Sequence, residues 1–165
     1  MKDQEIGKEI VGELPLFQFL GERIDLPNTN LLALTGDASL AEPTFKSGLT
    51  ERIAKAWITP LPELTGKQVR VLVGQMLGLP WLAKPVAMFL HQHPRAECDL
   101  YPGDLMSAAL RAHQHFSRFA PTEMQAVLSG DFGWMTEEFA FDRDGLLLRE
   151  AMGDLTSARG AAGLN

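Results

Sequence analysis

Two pairs of histidines, His91-x-His93 and His113-x-His115, bracket the chain's one cysteine, Cys98, together with Asp99 and Asp104. Imidazole, thiolate and carboxylate are the ligands zinc takes, so the group invites a metal reading. Spacing argues against it within either pair. On a helix, residues i and i+2 point about 200° apart, whereas ligands sharing a face stand at i, i+3 or i+4. One histidine from each pair would have to meet Cys98 in space. The plainer expectation is that the four mark exposed ends of two neighbouring helices, with no metal and no cofactor. Cys98 beside a histidine also suggests a nucleophile and its base. Nothing marks a third group to orient that base, nor an oxyanion hole, and a lone cysteine is more often inert. A small metal- or cysteine-dependent hydrolase built on Cys98 and the His91/His93 and His113/His115 pairs is therefore the alternative reading.

The remaining motifs carry less chemistry. Asp142-x-Asp144-Gly145 starts like a calcium loop, but Leu146-Leu147-Leu148 stands where further oxygen ligands should follow. Gly74-x-x-x-Gly78 lacks the Gly-Lys-Ser/Thr of a phosphate loop and reads as close helix packing. Glu137 and Glu138 are adjacent, hence splayed apart, and make a poor acid/base pair. No catalytic set is assembled by the residues themselves.

The elements that would position these groups are mainly helical. Leu49, Ile53 and Trp57 fall four apart with Ala56 beside them. Thr65 and Gln68 have the spacing of a capping box, ahead of a stripe through Val69, Leu72, Val73, Met76 and Leu77 that Gly78 stops. Pro80 opens the next helix, with Leu82, Val86, Phe89 and Leu90 on one side and Pro85 inside it as a kink or a delayed start. Asp104 begins a fourth as its N-terminal charge, with Leu105, Ala108, Ala109, Ala112, Phe116 and Phe119 as one stripe. Pro121 starts a shorter fifth through Met124, Val127 and Leu128. Asp142-Arg143-Asp144-Gly145 between two apolar triplets has hairpin-turn chemistry over 139–148, with a helix over 136–152 as the other possibility. The expectation is one compact domain over 1–165. Its parts are a poorly assigned stretch 1–46, a helical core of about five helices over 47–130, an acidic part 131–155 and a flexible tail 156–165.

Composition bounds the rest. The 165 residues are 45% hydrophobic and 22% charged, ordinary for a globular chain, and a single cysteine excludes an internal disulfide. No apolar run approaches the roughly 20 residues of a membrane span, and no targeting segment is visible, so a cytoplasmic protein with no membrane partner is expected. The net charge is −6, and acids outnumber bases before residue 47 and after residue 116. Nucleic-acid binders carry a basic stripe, which is missing; an acidic surface suits a basic partner.

The stretch Leu64 to Leu110 resembles a known family. Leu64-Thr65, Val69-Arg70-Val71-Leu72-Val73-Gly74-Gln75, Gly78-Leu79, Pro85, His93-Pro94 and Tyr101-Pro102-Gly103-Asp104-Leu105 are similar, in order, to the core of immunity proteins from bacterial contact-dependent growth inhibition (CDI) systems. That family shows R-L-L-I-G-Q, G-L, a proline-containing helix, N-P and Y-x-G-D-L-L; His93 departs from its asparagine. The resemblance implies a non-enzymatic, cytoplasmic inhibitor that binds the toxic C-terminal domain of a large surface effector, expected as a 1:1 complex. Many such toxins are nucleases with basic substrate surfaces, which would give the acidic ends a use. A family facing diverse toxins would keep its scaffold and vary its surface. The expected toxin contacts therefore lie outside the motif, at Asp131, Glu137, Glu138, Asp142 and Asp144, with Phe132 and Trp134 as aromatic anchors or else as core.

Overall fold

A computed structural model describes residues 9–164. Helices dominate, in more and shorter pieces than the five expected: α1 (Leu31–Thr35), α2 (Gly48–Trp57), α3 (Gly66–Gly74), α4 (Leu79–Gln92), α5 (Asp104–Arg111), α6 (His113–Phe119), α7 (Pro121–Leu128), α8 (Trp134–Glu138) and α9 (Leu146–Ala161), with 3-10 turns at Leu16–Arg23 and Leu61–Glu63. Among the described residues there is no strand, only isolated bridges such as Ile10 with Glu97.

The apolar helix α4 is the hub. It packs against α5, α6, α7 and the Leu16–Arg23 turn, and Leu82, Val86, Phe89 and Leu90 are all buried. Pro85 is buried within this helix, which runs unbroken from Leu79 to Gln92. On one side α3 joins α2 to α5; on the other α9 lies against α5, α6 and α7. The capping box expected at Thr65 is present, and a second one forms before α2. Thr65 and Gln68 exchange the two bonds of a capping box before α3, and Ser47 with Thr50 does the same before α2.

Residues 9–15, unplaced by sequence, are a strap that turns at 12–14. Val11 N–H donates to the Glu97 carbonyl at 2.9 Å, and Lys67 N–H and Gly66 N–H donate to the Gly12 and Leu14 carbonyls at 3.0 Å each. The strap therefore ties the start of α3 to the loop before α5. Val11, Leu16, Phe17 and Leu20 follow it into the core.

Four expectations change. The hairpin at 139–148 is absent: Phe139 to Gly145 is turn, and Leu146-Leu147-Leu148 is the first turn of α9. The reason is local, since Asp142 Oδ2 accepts from Leu147 N–H at 2.8 Å and so satisfies a helix-start donor instead of closing a strand pair. The stretch 156–165 is helical to Ala161, with Leu155 and Ala158 buried. Arg159 fastens it by donating to the Leu128 and Gly130 carbonyls at 2.9 and 2.8 Å. The helix from Asp104 divides at Ala112 into α5 and α6, and Phe119 stays half-buried. Finally, α3 ends at Gly74 rather than at Gly78, with Met76 taking the left-handed C′ position (φ 56°).

Candidate functional site

The histidines do not converge. His91 and His115 are exposed; His93 places Nδ1 2.7 Å from Glu9 Oε1 and stacks on Phe89 with ring centroids 4.9 Å apart. That makes His93 a fastener between the end of α4 and the N-terminal strap. His113 is half-buried with its Nδ1 enclosed and unpartnered. Among the described residues, no group of three or more His, Cys, Asp or Glu is placed to hold a metal ion. Cys98 is 1% exposed, inside the core. Burial pushes its thiol far above the ordinary range; the Asp104 carboxylate adds to the shift and Arg70 opposes it. A thiol so held is a poor nucleophile at neutral pH.

Asp104 is fully buried and holds the loop before its own helix. Its Oδ1 accepts from Cys98 N–H at 2.9 Å, and its Oδ2 accepts from Asp99 and Leu100 N–H at 2.8 and 2.7 Å. The expected helix cap is thus a loop clamp. Gly103, with φ 85°, sits directly under the Trp134 ring; a Cβ there would come within 2.7 Å of it. Arg70 lies over Gly74, where a Cβ would meet its Nη1 at 2.5 Å, so that glycine makes room for a side chain rather than for another helix.

The clamped loop meets the segment that carries the expected contacts. Tyr101 packs edge-on against Phe139 at 5.5 Å and tilted against Phe141 at 5.6 Å, while Trp134 packs edge-on against Phe139 at 6.0 Å. Around these rings the seven chosen residues separate into two sets. Phe132 is buried, with the Arg159 guanidinium 5.2 Å over its ring, and Trp134 is half-buried with its indole N–H enclosed and unpartnered. Glu138 is engaged internally by Arg95, through both Nε and Nη2, and Asp142 starts α9. These four make contacts within the fold. Asp131, Glu137 and Asp144 remain exposed: Asp131 turns back only to Gly133 N–H, and Glu137, 80% exposed, reaches Arg95 at a long 3.4 Å. Sequence reasoning did not single out Tyr101 and Phe141, which pack together here, or Leu100, which precedes Tyr101; Leu100 and Phe141 are 64% and 59% exposed. The signal that was available is an apolar residue on either flank of a polar turn.

A sequence model of the CDI immunity proteins matches residues 34–127, a stretch that encloses the Arg70–Gln75 and Tyr101–Leu105 motifs and stops short of Asp131. No curated protein and no solved structure matches the chain. Among the described residues no helix is long and apolar enough to cross a membrane. With more than half of its length matched and the motif residues forming the clamp and frame just described, the chain belongs to the CDI immunity proteins, inhibitors of CDI toxins.

Proposed function

We propose that this immunity protein acts in the cytoplasm, without catalysis, by forming a 1:1 complex with a nuclease-type toxin domain whose basic substrate surface it covers with the carboxylate face around 131–144. Membership of the immunity family carries the reading. The nuclease assignment is supported by the net charge of −6 and by Asp131, Glu137 and Asp144, three exposed carboxylates on one C-terminal segment. Carboxylates standing where phosphates would lie compete with substrate and speed encounter with a basic cleft.

The test uses the toxin domain encoded beside the gene. Mixed with an equimolar amount of the chain, its nuclease activity should vanish, and the complex should elute at the mass of one of each. The triple variant Asp131→Lys, Glu137→Lys, Asp144→Lys should slow association by about tenfold or more at low salt, with the gap narrowing as salt rises. A toxin that is not a nuclease removes that part of the proposal. An unchanged association rate removes the carboxylate face.

A further inference from the structure

Exposed large apolar side chains occur at several places, among them Ile10 and Leu14 on the strap, Phe45, Leu49 and Ile58 around α2, and Met152 on α9. Single exposed groups need no explanation. Phe141 is different because its ring packs against Tyr101 at 5.6 Å, and Tyr101 follows the exposed Leu100 in the chain. Leu100 and Phe141 are both held in place before any partner arrives. The Leu100 N–H is fixed by Asp104, and the turn bearing Phe141 is closed by Gly145 N–H donating to the Asp142 carbonyl at 3.0 Å and by the Asp142 carboxylate on Leu147 N–H. A preorganised apolar group loses little conformational freedom on binding.

Carboxylates prevail along the segment that carries Phe141. Arg95 is occupied by Glu138, leaving Glu137 largely in solvent, and Asp144 follows Phe141 by three residues; the bases are the exposed Arg143 on the turn and, beside Leu100, Arg52, which is paired with Asp99 at 2.7 Å. Apolar side chains on such a segment fit an apolar pocket edged by lysine or arginine. A second copy of this chain fits badly, because a two-fold contact would bring Glu137 and Asp144 against their own equivalents.

We propose that Phe141, packed against Tyr101, is with Leu100 the apolar anchor of the toxin-binding surface, inserted into an apolar pocket of a basic toxin domain. This rests on the immunity reading above and adds where the binding energy is concentrated. Small central clusters dominate interface energetics, with charges at the rim governing rate.

The experiment measures the dissociation constant of the full chain for the neighbouring toxin domain, with thermal melts of each variant as a folding control. Phe141→Ser should weaken binding by about 30-fold or more, mainly through faster dissociation, and Phe141→Ser with Leu100→Ser by several times more. Phe45→Ser, still more exposed but near α2, should change it less than about threefold. Amide exchange on the unmodified complex should slow at 139–145. If the unmodified chain binds the toxin while the double variant keeps its affinity, or if slowed exchange is confined to 45–58, the anchor is overturned and the immunity reading stands. If the unmodified chain does not bind, both are overturned.

Discussion

Asp104 shows how much one residue carries. Its carboxylate is wholly enclosed and accepts three backbone N–H groups from Cys98, Asp99 and Leu100. Removing it leaves three donors to find water in a packed loop, so Asp104→Ala should lower stability by about 3 kcal/mol or more, read from denaturant midpoints. Asp104→Asn keeps one acceptor and should fall between the two. A loss under about 1 kcal/mol would show that the loop holds itself without the clamp. Beside it, Cys98 yields a pH prediction whose sign follows from burial. The folded thiol keeps its proton at pH values where the unfolded thiol, near 9.0, ionises, so its pKa is raised on folding. The associated stability is complete below about pH 9 and declines as pH rises further, by up to about 1.4 kcal/mol per unit. Cys98→Ala removes that titration. Between pH 8.5 and 10.5 its midpoint should fall less steeply than that of the unmodified protein, and parallel slopes would place the thiol in solvent.

At the scale of elements, two helical glycines should respond oppositely to alanine. Gly66 opens α3 beneath the strap, and a Cβ there would collide with the Val11 carbonyl oxygen, with Gly12 Cα at 3.2 Å. Both neighbours are backbone, so Gly66→Ala should cost about 2 kcal/mol or more despite the better helix propensity of alanine. Gly153 lies within α9, with nothing within 4 Å of the added carbon, and Gly153→Ala should stabilise by roughly 0.5–1 kcal/mol. Two destabilising results would mean that α9 is not a continuous helix at Gly153. Such differences also mark what was legible in the sequence. The capping box at Thr65 and the stripes of α4 and α7 are local patterns, and the structure keeps them. The end of α3 was not legible. A Schellman closure, with Leu77 N–H on the Leu72 carbonyl at 2.8 Å and Met76 N–H on that of Val73 at 3.0 Å, uses methionine where glycine is usual. Nor was the hairpin avoidable by pattern, because Asp-Arg-Asp-Gly serves a strand turn and a helix start equally. The choice depends on α9 finding α5, α6 and α7 to cover its apolar side. The candidate site divides for the same reason. Which of five acids is free depends on where Arg95 and Leu147 N–H lie, and neither position is written locally.

Over the whole molecule, the family match and the folding unit have different limits. Residues 34–127 carry the shared motifs, yet the core they form is closed by chain on both sides. Val11, Leu16, Phe17, Leu20 and Leu31 enter it from before residue 34, and Leu128, Met135, Phe139, Leu155 and Ala158 enter it from after residue 127, all buried to within a few per cent. Fully burying a side chain of this size contributes about 1.5–3 kcal/mol. Deleting nine such groups and one alanine removes more than the roughly 5–15 kcal/mol by which a domain is stable. A fragment spanning 34–127 should therefore show helical far-ultraviolet signal without a cooperative melt, and should bind a hydrophobic dye, while the full chain melts in one transition. The strap and α9 are thus the parts that complete the scaffold. The strap reaches the Glu97 carbonyl, and α9 begins at the turn that holds Phe141. Variation in these flanks can change the surface, but only within what still seals the core. Adding back 128–164 to the fragment should restore a partial transition and still leave the full chain more stable, because Leu16 and Leu20 would remain missing. A sharp, dye-free melt of 34–127 alone would show that the family-matched stretch suffices, and that the flanks are ornament on a core already complete.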